Sequence, residues 1–213
     1  MATYLIRLRL PDRPGALGAV ASRIGAVGGD VVSIDILQSG DGEVVDEFGV
    51  VLPDDGLTEL LKAEILEVDG VSLEALRVVD GPLPDRHAEI LELATTLFRQ
   101  TSPTEVLEYL TSQVRRSLEA TFAAILNPEA PWPVAVDGDA PADVDLVELG
   151  RRVTTPDQMD DHVATTGLIR AGVVLVVSRA DLVFRPGERL RISTMAELAD
   201  HRWGELSSRS VTH

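Results

Sequence analysis

At 213 residues and 45% hydrophobic content, the chain is long enough for one large domain or two small ones, each with its own core. A formal net charge of −16, with no compensating basic stripe in either half, argues against a nucleic-acid partner, and the absence of cysteine excludes disulfides, thiolate zinc sites and cysteine nucleophiles. No apolar run approaches the roughly 20 residues that cross a bilayer, and the start MATYLIRLRL lacks a signal peptide's apolar centre, so a cytoplasmic protein with no membrane partner is expected.

Tyr4, Ile6, Leu8 and Leu10 alternate with Arg7 and Arg9, the pattern of a half-buried strand with its arginines on the outer side. Pro14 suits the first turn of a helix, and Leu17, Val20, Ile24 and Val27 recur at helical spacing until Gly28 and Gly29 end it. Val32, Ile34 and Ile36 alternate with Ser33 and Asp35 in a second strand, and the turn SGDGE leads into a third, VVDEFGVVL. Pro53 and Asp54 open a helix carrying Leu57, Leu60 and Leu61, and VDGVSLEALRVVD turns at Gly70 into a fourth strand. The order is βαββαβ within about 80 residues, a size that suits a small sandwich with helices on one face.

GPLPD, residues 81–85, punctuates the chain and is expected to link a first domain, 1–80, to a second, 86–206, with a flexible tail over 207–213. Beyond it, Ile90, Leu91, Ala94, Leu97 and Phe98 predict a helix. SPTE starts another, with Ser102 as cap, Pro103 in the first turn and Glu105 at the capping-box position, and Leu107, Leu110, Val114 and Leu118 as its buried stripe. The strand TFAAIL follows. Residues 127–145, rich in proline, glycine and aspartate, read as a loop in which PWPVAV is a short strand. A short helix over 146–152, adjacent strands VATTGLIR and AGVVLVVSR, and a long helix over 186–206 complete an α+β domain.

The start of the first helix is where chemistry is expected. A helix start leaves backbone N–H groups without intrahelical acceptors and carries partial positive charge, so it attracts a carboxylate or phosphate, and Gly15 and Gly18 would let a ligand approach without meeting a Cβ. The same residues also suit a tight turn that uses glycine only for packing. PGALGAV has neither the lysine of a phosphate-binding loop nor the three-glycine dinucleotide pattern.

The first strand, PDRPGALGAVASRIGAVGGDVVSIDI, VVDEFGVVLP and VDGVSLEALRVVD together resemble an ACT domain over residues 3 to about 80. The resemblance implies a ferredoxin-like βαββαβ sandwich whose sheets abut in pairs, with a small effector, often an amino acid, at the interface. It also implies that the loop of Arg13, Pro14, Gly15, Ala16 and Leu17 presents backbone amides to an amino acid's carboxylate, while Asp30 and Val31 approach from a partner subunit. Many amino-acid-binding members have asparagine where this chain has Asp30; an acidic group there accepts from an ammonium and repels a carboxylate.

The second half, through its paired helices, the strand TFAAILN and the ending GVVLVVSRADLVFRPGERLRISTMAELADHRW, resembles a GAF domain. The resemblance implies a pocket over the sheet or a purely structural, dimerising module. The short stretch over 131–145 supplies little material for a pocket roof, which favours the structural form.

No catalytic constellation is expected. His87, His162, His201 and His213 are scattered, and Asp160 or Asp161 beside His162 lacks a nucleophile-bearing turn. Asp137, Asp139, Asp143 and Asp145 resemble a calcium loop, yet Pro141 takes a ligand position and the central glycine is missing, so a solvated acidic loop is expected in place of a metal site. Trp132 and Trp203 read as core or dimer anchors. These readings lead to a non-enzymatic regulatory homodimer without cofactor or metal, which senses a small molecule, with an amino acid as first candidate, and acts on an unidentified partner protein. A ligand-free interaction scaffold is the rival expectation.

Overall fold

A computed structural model describes the chain except Met1, Asp80, Pro82, Pro84, Pro131, 154–159 and 211–213. Two compact units divide within GPLPD, Met1–Leu83 and Pro84–His213.

The first unit runs β1 (Ala2–Pro11), α1 (Ala16–Ala26), β2 (Asp30–Gly40), β3 (Glu43–Leu52), α2 (Thr58–Leu66) and β4 (Ser72–Val79). Its antiparallel sheet has the order β2-β3-β1-β4. The alternation read in β1 sets one face: Tyr4, Ile6, Leu8 and Leu10 join Phe48, Val50 and Leu52 in a core closed by Val20 and Ile24 of α1 and Leu61 and Ile65 of α2. Full burial of each such side chain stabilises by about 1.5–3 kcal/mol. The opposite face departs from expectation. Arg7, read as outward and solvated, is 2% exposed, and its guanidinium donates to Glu47 at 3.1 Å. Leu83 lies on this face against Gly49, where a Cβ would collide with Leu83 and with Ser33 Oγ.

The elements of this unit form as read, while burial and one helix start fall differently. Leu17 lies outside the buried stripe of α1 and is exposed, as is Leu60 on α2. Pro14 precedes α1 in a turn, because the helix begins at Ala16. Val32, Ile34 and Ile36 are exposed although they alternate as read, because β2 is an edge strand only partly covered by α1.

The second unit runs α3 (Arg86–Arg99), α4 (Pro103–Ser117), β5 (Phe122–Leu126), β6 (Pro133–Gly138), α5 (Asp143–Val153), β7 (Val163–Leu168), β8 (Val173–Ser178) and α6 (Pro186–Ser210). Its sheet has the order β6-β5-β8-β7, and every residue of central β5 is buried. One face packs under Leu93 and Leu97 of α3, Leu107, Leu110 and Val114 of α4, and Ile192, Met195 and Ala199 of α6. Leu146 of α5 joins Phe122, Ala124 and Val176 on the other. The capping box forms as read, with Ser102 Oγ accepting from the Glu105 amide and the Glu105 carboxylate accepting from the Ser102 amide.

Here too the register differs in places. The inward face of α3 is Leu93 and Leu97, whereas Leu91 and Phe98 are each 70% exposed. Helix α6 continues to Ser210, so part of the expected tail is ordered helix, while 211–213 lie outside the described residues. Trp132 is exposed, and Trp203 packs partly against the core. Asp137 is paired with Arg115.

Candidate functional site: the start of helix α1

The β1–α1 junction is open backbone. Gly15 caps α1 at φ +89°, a conformation that favours glycine, and no side chain caps the helix. The Ala16 amide donates to the Arg13 carbonyl and the Ala19 amide to the Gly15 carbonyl, whereas the amides of Leu17 and Gly18 have no acceptor among the described residues. A Cβ on Gly15 or Gly18 would meet nothing within 4 Å. Two free N–H groups at the positive end of a helix, with an unobstructed approach, can donate to an anion. Arg13 turns away from them, its guanidinium reaching the Asp69 carbonyl at 3.4 Å.

Within one chain, Asp30 and Val31 do not join these amides. They follow the C-terminal end of α1, whose 11 residues separate them from Gly15 by about 16 Å along the helix axis. Asp30 is exposed, and Val31 packs against the core.

The residue that sequence reasoning passed over is Asp46. In β3 it pairs across to Leu8 of β1 and Ile36 of β2, in the half of the sheet nearer the α1 start. The alternation with Phe48, Val50 and Leu52 turns it to the helix-covered side, and this was the legible signal: an acid at an inward position of VVDEFGVVL. Asp46 is 5% exposed, and its Oδ1 has no hydrogen-bond partner. Burial pushes its carboxyl above the usual range. A buried carboxylate without a partner is costly, and a cation arriving beside it would relieve that cost.

Other buried charges are compensated, Arg7 by Glu47 in the first unit and two groups in the second. Arg179 donates to both oxygens of Glu188 and to the carbonyls of Leu118, Leu182 and Val183, with its guanidinium 4.2 Å from the centre of the Phe184 ring. Asp200 accepts the amides of Arg170 and Ala171. These two groups are satisfied and hold the fold. No group of three or more His, Asp or Glu side chains placed to hold a metal ion occurs among the described residues, and no helix there is long and apolar enough to cross a membrane.

Residues 4–70 match the ACT domain family model. The sheet order and the open α1 start therefore belong to an ACT unit. Solved structures similar to this chain include the GAF domain of an Acinetobacter phosphoenolpyruvate-protein phosphotransferase, at 11% identity and a TM-score of 0.45, covering 59% of this chain and 97% of that one. The GAF domain of the corresponding Coxiella burnetii protein is similar at 11% identity and a TM-score of 0.45, covering 60% and 97%. The ACT domain of the GTP pyrophosphokinase of Chlorobium tepidum is similar at 15% identity and a TM-score of 0.30, covering 37% and 100%. No curated protein matches the chain.

Proposed function

We propose that the chain is a non-enzymatic, cytoplasmic regulatory protein whose ACT unit binds an amino acid at a homodimer interface and passes its bound state to a partner protein. The observation that carries this reading is the joint presence of an open anion seat at Leu17 and Gly18 and an unpartnered buried carboxyl, Asp46, in the same half of one sheet. An α-amino acid is a zwitterion, so a site for it needs an acceptor for its ammonium as well as donors for its carboxylate. Asp46 supplies the first and the helix start the second.

The edge strand supports a dimer. β2 is 11 residues long, its outer backbone groups have no neighbouring strand among the described residues, and Val32, Ile34 and Ile36 are exposed along it. β2 runs parallel to β1 across β3, so its Gly40 end lies at the same end of the sheet as Pro11 of β1, from which the Arg13–Leu17 loop springs. Antiparallel pairing of β2 with its copy about a twofold axis would bring the copy's Asp30 and Val31 to that loop. A ligand shifts the assembly only insofar as it prefers one arrangement, and a ligand held by both subunits has that preference.

Differential scanning fluorimetry against the twenty amino acids tests the proposal. Binding to the folded state alone stabilises by about 2.7 kcal/mol at a hundredfold excess over Kd, and a selective shift that Gly15→Asp abolishes is expected. A flat panel would leave the junction a packing turn and the protein a scaffold. The dimer is tested separately by sedimentation, where Ile36→Asp is expected to yield monomer; an unchanged mass places the interface elsewhere.

A further inference from the structure

A second surface, independent of the ACT site, stands out in the second unit. Among the arginines whose side chains are described, Arg99 and Arg209 make no hydrogen bond or ion pair, and both line one cleft between the end of α3 and the last turns of α6. The other arginines with described side chains are bound to the chain's own carboxylates, carbonyls and other acceptors; Arg202 in the same cleft donates to the carbonyls of Leu97, Phe98 and Gln100 and to Glu205. Arg202 thereby ties α3 to α6 and fixes the cleft, while Arg99 and Arg209 remain available in a chain of net charge −16.

An apolar notch adjoins the cleft and shares Phe98 and Arg202 with it, its other apolar walls being Ala94, Leu97 and Leu198. Leu91, Ala94 and Phe98 lie at i, i+3 and i+7 on the outer side of α3, and Leu91 and Phe98 are each 70% exposed. The helix is therefore apolar on two sides, one buried in the core by Leu93 and Leu97 and one left in water. Contiguous exposed apolar side chains of this kind mark interaction sites.

We infer that this face of α3 and α6 docks an acidic amphipathic segment of a partner protein. Apolar side chains of the segment fill the notch beside Phe98, and its carboxylates supply the counter-charges that Arg99 and Arg209 lack. Charge complementarity selects this occupant: a basic segment would leave both guanidiniums opposed by like charge, and a small anion would leave Leu91 and Phe98 uncovered. Seating an amphipathic helix in an apolar groove uses the same physics as other helix-in-groove complexes. The chain's net charge opposes long-range attraction of an acidic segment, so recognition rests on close contact.

The experiment is selection of a displayed library of random 16-residue peptides on the full chain, with the double variant Arg99→Glu, Arg209→Glu as the decoy. Enriched peptides are expected to combine helically spaced apolar residues with Asp or Glu. By fluorescence anisotropy they should bind the double variant about tenfold or more weakly, Phe98→Ala several-fold more weakly, and both less tightly as salt rises. Circular dichroism melts of both variants should match the parent. No enrichment, enrichment of basic or neutral peptides, or equal binding to the decoy would overturn the inference. Displacement of the peptides by millimolar inorganic phosphate would instead assign a small-anion site. A change of sedimenting mass in the double variant would assign the face to a second copy; either result overturns the partner named here.

Discussion

Two buried charges, Arg179 in the second unit and Asp46 in the first, are treated in opposite ways. In the second unit, Arg179 and Glu188 are 7% and 2% exposed, and the guanidinium is held by two carboxylate oxygens, three carbonyls and an aromatic face. In the ACT unit, Asp46 is buried to a similar degree beneath the sheet's helices with one oxygen unmatched. Desolvation acts on both. A charge compensated on every side is part of the scaffold, whereas one left uncompensated stores free energy that an arriving partner can release. The contrast separates a charge that holds the fold from one that the fold leaves unmatched.

The largest effect is expected from breaking the compensated pair. Glu188→Ala leaves Arg179 buried without its counter-charge and should destabilise the second unit by about 3–5 kcal/mol, read from that unit's transition in urea. A loss below about 1 kcal/mol would place the pair with surface ion pairs, which contribute little. Next comes packing on the ACT sheet: Gly49→Ala places a Cβ against Leu83 and Ser33 and should cost about 1–3 kcal/mol. Preserved stability there would show that Leu83 lifts readily from the sheet.

The smallest effect is the most informative about Asp46. Its carboxyl is raised by burial, so its contribution to stability is fully present below the unfolded value, about 3.9, and is lost as pH rises through the raised folded value. Asp46→Asn removes that loss. The difference in unfolding free energy between parent and variant, measured from pH 4 to 7, should therefore move in favour of the variant as pH rises. The same variant should lose amino-acid binding. A flat difference would mean that the carboxyl is solvated in solution and would remove the contrast with Arg179 and Glu188.

Much of this was legible from residue order. Alternation in β1 placed Tyr4, Ile6, Leu8 and Leu10 on one face, and Ser102 with Glu105 announced the capping box of α4, because both signals act over a few residues. The glycines after Pro14 marked the open helix start for the same reason: a residue at φ +89° with free amides beyond it is a local demand on the chain. Asp46 was legible in principle, from its place in the alternation of β3, but its missing partner was not.

What periodicity could not supply is which side of an element the rest of the molecule covers. Ile34 and Ile36 alternate as a buried row should, yet β2 lies at the sheet's edge and they face water. Leu91 and Phe98 fit a helical stripe as well as Leu93 does, but the core meets α3 along Leu93 and Leu97. Arg7 sits among alternating charges and is nonetheless enclosed with Glu47. Sequence by itself determined the elements, the capping box of α4 and the open start of α1, since dihedral preference and side-chain spacing are properties of neighbours along the chain. Strand order and helix placement decided which apolar rows stay exposed and which carboxyl is stranded, because burial and desolvation depend on groups distant in sequence that only the tertiary structure brings together.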